Sequence, residues 1–203
     1  GGGLKPSDEL TVPPAAFGLE FVGDGRQLAV GGQGAFAMAD LETGKVRRAE
    51  LEFEATRSLA AGPDGTTLAV GLGDGSVHIY GVDSLTEQGK PLQHPGRVTG
   101  AAFDPTGKVL ITVATDGGLR WWDVDGRRPL APAVMAHPGG AGISLSVAEH
   151  RAVTTMLTGD RVALWPLAVD DWVEHGCRRH DRNLTPDEAR RYGVADAVQV
   201  CPT

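Results

Sequence analysis

The sequence predicts an all-β fold built from a repeated unit of short strands, and three observations predict it. Four segments of the chain line up with one another. Their spacing is nearly constant. Glycine is abundant, at 29 of 203 residues, while aromatics make up only 5%. That balance suits short strands joined by turns that need positive φ better than it suits helices.

The aligned segments are FGLEFVGDGRQLAVGGQGAFAMAD, RSLAAGPDGTTLAVGLGDGSVHIYG, TGAAFDPTGKVLITVATDGGLRWWD and ISLSVAEHRAVTTMLTGDRVALWP. Each reads as an apolar strand, a turn, a second apolar strand, a Gly/Asp turn, and a strand closing on an aromatic or apolar residue. Gly25 and Gly65 are 40 residues apart, and Gly65 and Gly107 are 42 apart. Tyr80 and Trp122 are 42 apart, and Trp122 and Trp165 are 43 apart. A period of roughly 40–45 residues made of short strands points to β-propeller blades. Alternation within the strands agrees: Val77 and Ile79 fall on one face of SVHIY, and Ser76, His78 and Tyr80 on the other.

Within the third unit stand His94, the strand from Val98 to Phe103, the turn Asp104-Pro105-Thr106-Gly107, and Asp116-Gly117-Gly118-Leu119-Arg120-Trp121-Trp122-Asp123. This run resembles a WD40 blade, from an early histidine to a closing Trp-Asp. The resemblance covers residues 17–167 and is strongest in the third unit. The second keeps Asp74 but reads Tyr80-Gly81 at its close, and the fourth keeps His137 and Trp165 but has Pro166 where Asp is usual. The resemblance implies a hydrogen-bonded structural tetrad of His94, Thr112, Asp116 and Trp122. Asp116-Gly117-Gly118 is then a tight hairpin turn, and Trp122 a wedge between layers.

Composition bounds the function. The formal charge is 19 − 26 = −7, which argues against a broad nucleic-acid footprint. No apolar run is long enough to span a bilayer, so no membrane insertion is expected from this segment. The opening GGGLKPSDEL has no initiator methionine, and a fragment of a longer chain is expected. Residues 1–16 read as a linker or the last strand of a preceding blade, 17–167 as four blades, and 168–203 as a helical cap.

Several sharper motifs carry bland readings. Gly71-Leu72-Gly73-Asp74-Gly75 opens a strand and not the helix a phosphate cradle requires. Asp123-Val124-Asp125-Gly126 lacks the remaining ligands of a calcium loop. His175, Cys177, His180 and Cys201 miss the spacing of a zinc framework. Cys177 and Cys201 are a candidate cysteine pair, as a disulfide or as neighbouring thiols. The arginines from Arg178 to Arg191 are interrupted by Asp181, Asp187 and Glu188 and read as a solvated helical face. No catalytic set, metal site or cofactor site emerges. In the tail, Thr185, Pro186 and Glu188 make a capping box. The phrase Cys177…Arg182-Asn183-Leu184-Thr185…Tyr192…Cys201-Pro202 is similar to the tails that follow WD40 propellers in large bacterial, often actinobacterial, multidomain proteins. The Trp usual between Thr185 and Tyr192 is absent.

The expected function is a non-catalytic scaffold or sensor that binds a protein or peptide, with Gln93, Arg97 and Arg120 as candidate contacts and upstream domains of the same parent chain as further partners. Two other readings stay open: an enzyme with its site in a propeller channel, and a structural segment that completes a ring. Four blades are fewer than the seven common in the WD40 family, so further blades or partner chains are expected to close the ring. The expected location is cytoplasmic, the alternative being an extracytoplasmic propeller tethered by an upstream membrane segment.

Overall fold

The computed structural model describes residues 11–136, 143–148, 151–156 and 162–166. All regular structure among them is β. The tail assigned to a helical cap, with Cys177 and Cys201, lies outside the described residues, as do His137 and His150.

The strands follow the repeat. The first sheet holds β1 (Gly18–Val22), β2 (Gln27–Gly31), β3 (Gln33–Asp40) and the first part of β4 (Val46–Ala61). The second holds the later part of β4, then β5 (Thr67–Leu72), β6 (Ser76–Gly81) and the short β7 (Leu92–Gln93). The third holds β8 (Val98–Phe103), β9 (Val109–Ala114) and β10 (Gly118–Asp123), with β11 (Arg128–Pro129) and β12 (Val134–Met135) both pairing with β10. The fourth holds β13 (Ile143–Ala148), β14 (Arg151–Met156) and β15 (Val162–Pro166). Every pairing is antiparallel. The result is an all-β, propeller-like arrangement.

β4 belongs to two sheets. Its residues 46–50 and, across an irregularity, Ala55 pair with β3, and residues 56–61 pair with β5. The cause is legible in its residues: between Val46 and Ala61 there is no Gly, Pro, Asn or Asp to break the strand. The chain thus passes from the outer edge of one sheet to the inner edge of the next without a loop.

The core lies between sheets. Val22, Ala29, Phe36 and Met38 of the first sheet pack on Leu59, Leu68, Val70 and Tyr80 of the second. The Phe36 and Tyr80 rings tilt against each other with centroids 4.8 Å apart. Ala60, Ala69, Val77 and Ile79 on the other face of the second sheet meet Val98, Phe103, Leu110 and Trp122 of the third. Ile111, Val113, Leu119 and Trp121 on the far face of the third sheet meet Trp165 of the fourth. A middle sheet is therefore apolar on both faces. That is why Thr67–Leu72 reads as a continuous apolar run: Leu68 and Val70 face one neighbour and Ala69 the other.

Close approach of the sheets depends on two glycines at one repeat position. A Cβ on Gly31 would collide with the Thr56 side chain, and a Cβ on Gly71 would collide with Ser58 Oγ and lie 2.7 Å from Val98 Cγ1. Each glycine lets the next inner strand sit against its backbone. We expect Gly71→Val to destabilise the chain by about 1–3 kcal/mol through overpacking. Thermal unfolding should show a Tm lower by roughly 2–4 °C per kcal/mol for a chain of this size. An unchanged Tm would show that this contact relaxes freely.

Candidate functional site

The polar cluster of the third sheet is assembled by register. Arg120 on β10 sits opposite Thr112 on β9, and Trp122 opposite Leu110. Alternation then sends Thr112, Arg120 and Trp122 to one face, the face turned to the second sheet. His94 reaches that face from the loop between β7 and β8, and Asp116 from the turn between β9 and β10.

Hydrogen bonds connect them in a line. Trp122 Nε1–H donates to Thr112 Oγ1 at 2.7 Å. His94 Nε2 lies 2.6 Å from the same oxygen. Arg120 Nη1 lies 2.7 Å from His94 Nδ1, and Arg120 Nη2 donates to Asp116 Oδ2 at 2.7 Å. A guanidinium only donates, so Nδ1 accepts, the ring proton is on Nε2, and His94 is neutral. Its edge also meets the Trp122 ring, with centroids 5.5 Å apart. His94, Thr112 and Trp122 are buried.

The electrostatics agree with that tautomer. Burial, and then the adjacent Arg120 charge, lower the His94 pKa to about 4, against a smaller opposing effect of Asp116. For Asp116 burial acts upward. Hydrogen bonds from the Arg120 side chain and the Gly118 amide, with the Arg120 charge, outweigh it and hold the carboxyl below the usual range. Both ring nitrogens of His94 are engaged, so the cluster offers no base or nucleophile to a substrate. It is a brace.

The two glycines of Asp116-Gly117-Gly118 have separate tasks. Gly117 takes φ +80°, which the tight turn requires. At Gly118 a Cβ would stand 2.6 Å from Arg120 Nη1. The bare backbone at Gly118 makes room for Arg120 to fold back over the turn to Asp116.

The structure thus brings His94, Thr112 and Trp122 into mutual contact and joins Asp116 to them through Arg120. Arg120, expected from the sequence as a partner contact, is engaged inside this line with its side chain 14% exposed. Gln93 and Arg97 are exposed. Their loop is fixed at both ends. His94 N donates to Gly75 O at 2.9 Å, and Thr115 N donates to Arg97 O at 2.8 Å.

Two related networks were not singled out from the sequence. In the second sheet, Asp74 accepts from Ser76 N and Oγ at 2.8 and 2.6 Å. Ser76 Oγ lies 2.9 Å from His78 Nε2, and His78 Nδ1 lies 2.8 Å from Glu87 Oε1. The order Ser–His–Glu has the look of a hydrolytic triad. Ser76 is buried, however, and its hydroxyl is within hydrogen-bonding distance of Asp74, so no nucleophile is presented. The signal was available: Asp74 and His78 occupy the repeat positions of Asp116 and Arg120. In the fourth sheet Trp165 Nε1 donates to Thr154 Oγ1 at 2.8 Å, repeating the Trp122–Thr112 bond.

Two measurements test the brace. Thr112→Val removes the acceptor for two buried N–H groups, and we expect urea unfolding to report a loss of about 1–3 kcal/mol. For pH, the unfolded histidine takes a proton below about 6.5, while folded His94 refuses it until about 4. Stability is therefore lost as pH falls through that window, by about 3 kcal/mol in total. Glu20 acts in the opposite direction, because burial raises its carboxyl pKa. The difference between the wild type and His94→Gln isolates the histidine, and parallel stability profiles from pH 7 to 4 would contradict the assignment.

Comparison with known proteins places this geometry. The family described as "WD domain, G-beta repeat" matches residues 87–123, the stretch that holds His94, Thr112, Asp116 and Trp122. Topless-related protein 3 of Arabidopsis thaliana is 27% identical over 144 residues, covering 68% of this chain and 12% of that protein. Periodic tryptophan protein 2 homolog of Schizosaccharomyces pombe is 30% identical over 119 residues, covering 53% of this chain and 14% of its own. The chain thus spans a small part of the curated relatives it matches. Among solved structures, a chain of "Crystal Structure of Mitotic Checkpoint Complex" superposes with a TM-score of 0.65 at 22% identity, covering 75% of this chain and 48% of that one. "Kuenenia stuttgartiensis Hydrazine Synthase" gives a TM-score of 0.66 at 18% identity, covering 82% and 50%. Residues 87–123 are a WD40 repeat, a unit that generally mediates protein–protein contacts, and the chain around it has a β-propeller-like fold.

Proposed function

We propose that this chain is a non-catalytic platform for a protein or peptide partner, and that it serves as the scaffold or sensor part of a larger bacterial signalling protein. The carrying observation is the loop from Gln93 to Arg97. Its backbone is pinned to the turns on either side, while Arg97 is exposed and Gln93, also exposed, donates its Nε2 to His94 O at 3.3 Å. A loop with a fixed backbone loses little conformational entropy on binding. The His94 brace lies directly beneath it and holds it against the third sheet. The exposed Arg97 guanidinium suits a peptide bearing a carboxylate.

The bacterial setting rests on the similarity of the Cys177–Pro202 phrase to tails of bacterial multidomain proteins. We place the chain in the cytoplasm, with upstream domains of a longer parent as its second set of contacts. The polar cluster supports the non-catalytic reading, since both ring nitrogens of its histidine are engaged internally.

The test is peptide selection against the immobilised chain, followed by titration of Gln93→Ala and Arg97→Glu. We expect selected peptides to lose at least about tenfold in affinity for Arg97→Glu, or about 1.4 kcal/mol, with thermal unfolding unchanged. Equal binding to both variants would move the contact away from this loop. Failure to enrich any peptide would remove the platform reading.

A further inference from the structure

A second charged side chain stands beside the Gln93–Arg97 loop. Asp74 belongs to the turn between β5 and β6 and is exposed. Its Oδ1 accepts from Ser76 N and Ser76 Oγ at 2.8 and 2.6 Å. Those two bonds fix the direction of the carboxylate, and they leave Oδ2 without a hydrogen-bond partner among the described residues. Arg97 is its counterpart across the loop. Thr115 N holds the Arg97 main chain, while the guanidinium forms no ion pair among the described residues.

The backbone brings the two charges together. His94 N donates to Gly75 O at 2.9 Å, and Gln93 pairs with Ser76 in the ladder between β6 and β7. A Cβ on Gly75 would stand 2.6 Å from His94 O and 2.8 Å from Gly96 O. Gly75 follows Asp74 and Gly96 precedes Arg97, so the Cα atoms of Asp74 and Arg97 lie within about 11 Å of each other. Gly75 also takes φ +94°, a conformation that suits glycine. Both charges are thus carried on one fixed piece of backbone.

Within the loop and the two turns that hold it, the other charged group is already matched. Asp116 pairs with Arg120 at 2.7 Å and accepts from Gly118 N at 3.0 Å. What stays uncommitted is one anion, Asp74, and one cation, Arg97. They are not joined to each other in an ion pair. An exposed pair stabilises little, so a ligand that serves both has little to displace.

We propose that the peptide bound at this loop is dipolar: an acidic residue meets Arg97 and a basic residue meets Asp74. On an extended segment rising ~3.3 Å per residue, the two stand roughly two to four positions apart. For a given chain direction the site also selects the order of acid and base, because the other order sets like charge against like. This rests on the reading that the loop binds a peptide, and it adds the chemistry of the partner.

The test is selection from a random peptide library against the full chain and against Asp74→Lys, followed by titration of one selected peptide. The wild type should enrich peptides that carry a basic and an acidic residue at a constant separation. Asp74→Lys should enrich peptides with two acidic residues instead. Replacing the peptide's basic residue by Gln should cost about tenfold in affinity for the wild type and nothing for Asp74→Asn. Asn keeps an Oδ1 acceptor for Ser76, and thermal unfolding checks that the turn is intact. Enrichment of purely acidic peptides by the wild type, with affinity unchanged in Asp74→Asn, would overturn the dipolar reading and leave the Arg97 contact standing. Equal binding of a dipolar peptide by Arg97→Glu, or no enrichment at all, would remove the loop contact and the dipolar reading with it.

Discussion

Face-to-face burial of sheet upon sheet is the constraint on which the rest of the structure depends. No sheet here has a solvent side in the middle of the row. Phe36, Leu68, Ile79, Leu110 and Leu119 are buried between sheets and not within one. A single sheet of three or four short strands cannot bury enough apolar surface to hold itself, so each depends on its neighbours. The glycines at 31 and 71 follow from this, because they set how closely the next inner strand can lie. The polar cluster follows as well. Burying a histidine, a threonine hydroxyl and an indole N–H between two sheets is tolerable only when each finds a partner. His94, Thr112 and Trp122 satisfy one another there.

The proposed contact sits at the margin of that packing. The chain leaves the second sheet at Gln93 and enters the third at Val98, so the loop between them crosses a joint where two sheets already meet. Its backbone is held at both ends by hydrogen bonds with the Gly75 and Thr115 backbones. This is the usual division in repeat proteins: the stack supplies rigidity, and the crossings supply recognition.

Much of this was legible in the sequence, for definable reasons. The 40–43-residue spacing, the Asp-Gly turns and the alternation in SVHIY and LRWW are local signals, and local signals survive in a string of letters. His94, Thr112 and Trp122 were singled out through the resemblance of the third unit to a WD40 blade, and the structure joins them by hydrogen bonds to one hydroxyl. Arg120's place was not legible. Alternation and a long cationic side chain suggest solvent, and only the missing Cβ of Gly118 together with the Asp116 carboxylate turns it inward. The Ser76–His78–Glu87 chain was hidden because Glu87 meets His78 across a loop. The continuity of β4 was readable in the absence of any turn residue from 46 to 61, yet a period of about 40 invites a break between units just there.

β4 carries a further consequence for how this chain can be divided. Repeats are commonly treated as interchangeable modules, gained or lost one at a time. Here the joint between the first two sheets is a covalent strand with ladder hydrogen bonds on both sides, while the second and third sheets are joined by a loop. A cut or gene fusion placed between residues 50 and 56 would leave 46–50 on the first sheet and 56–61 on the second, and would break the covalent link that aligns the two ladders and the Gln33–Ala55 pair. The same event between residues 93 and 98 would leave every strand whole. At this end of the molecule a boundary between repeats therefore falls inside one continuous strand, and a fusion there must preserve the direction of the chain through residues 51–55, whereas one between 93 and 98 has only a loop to match.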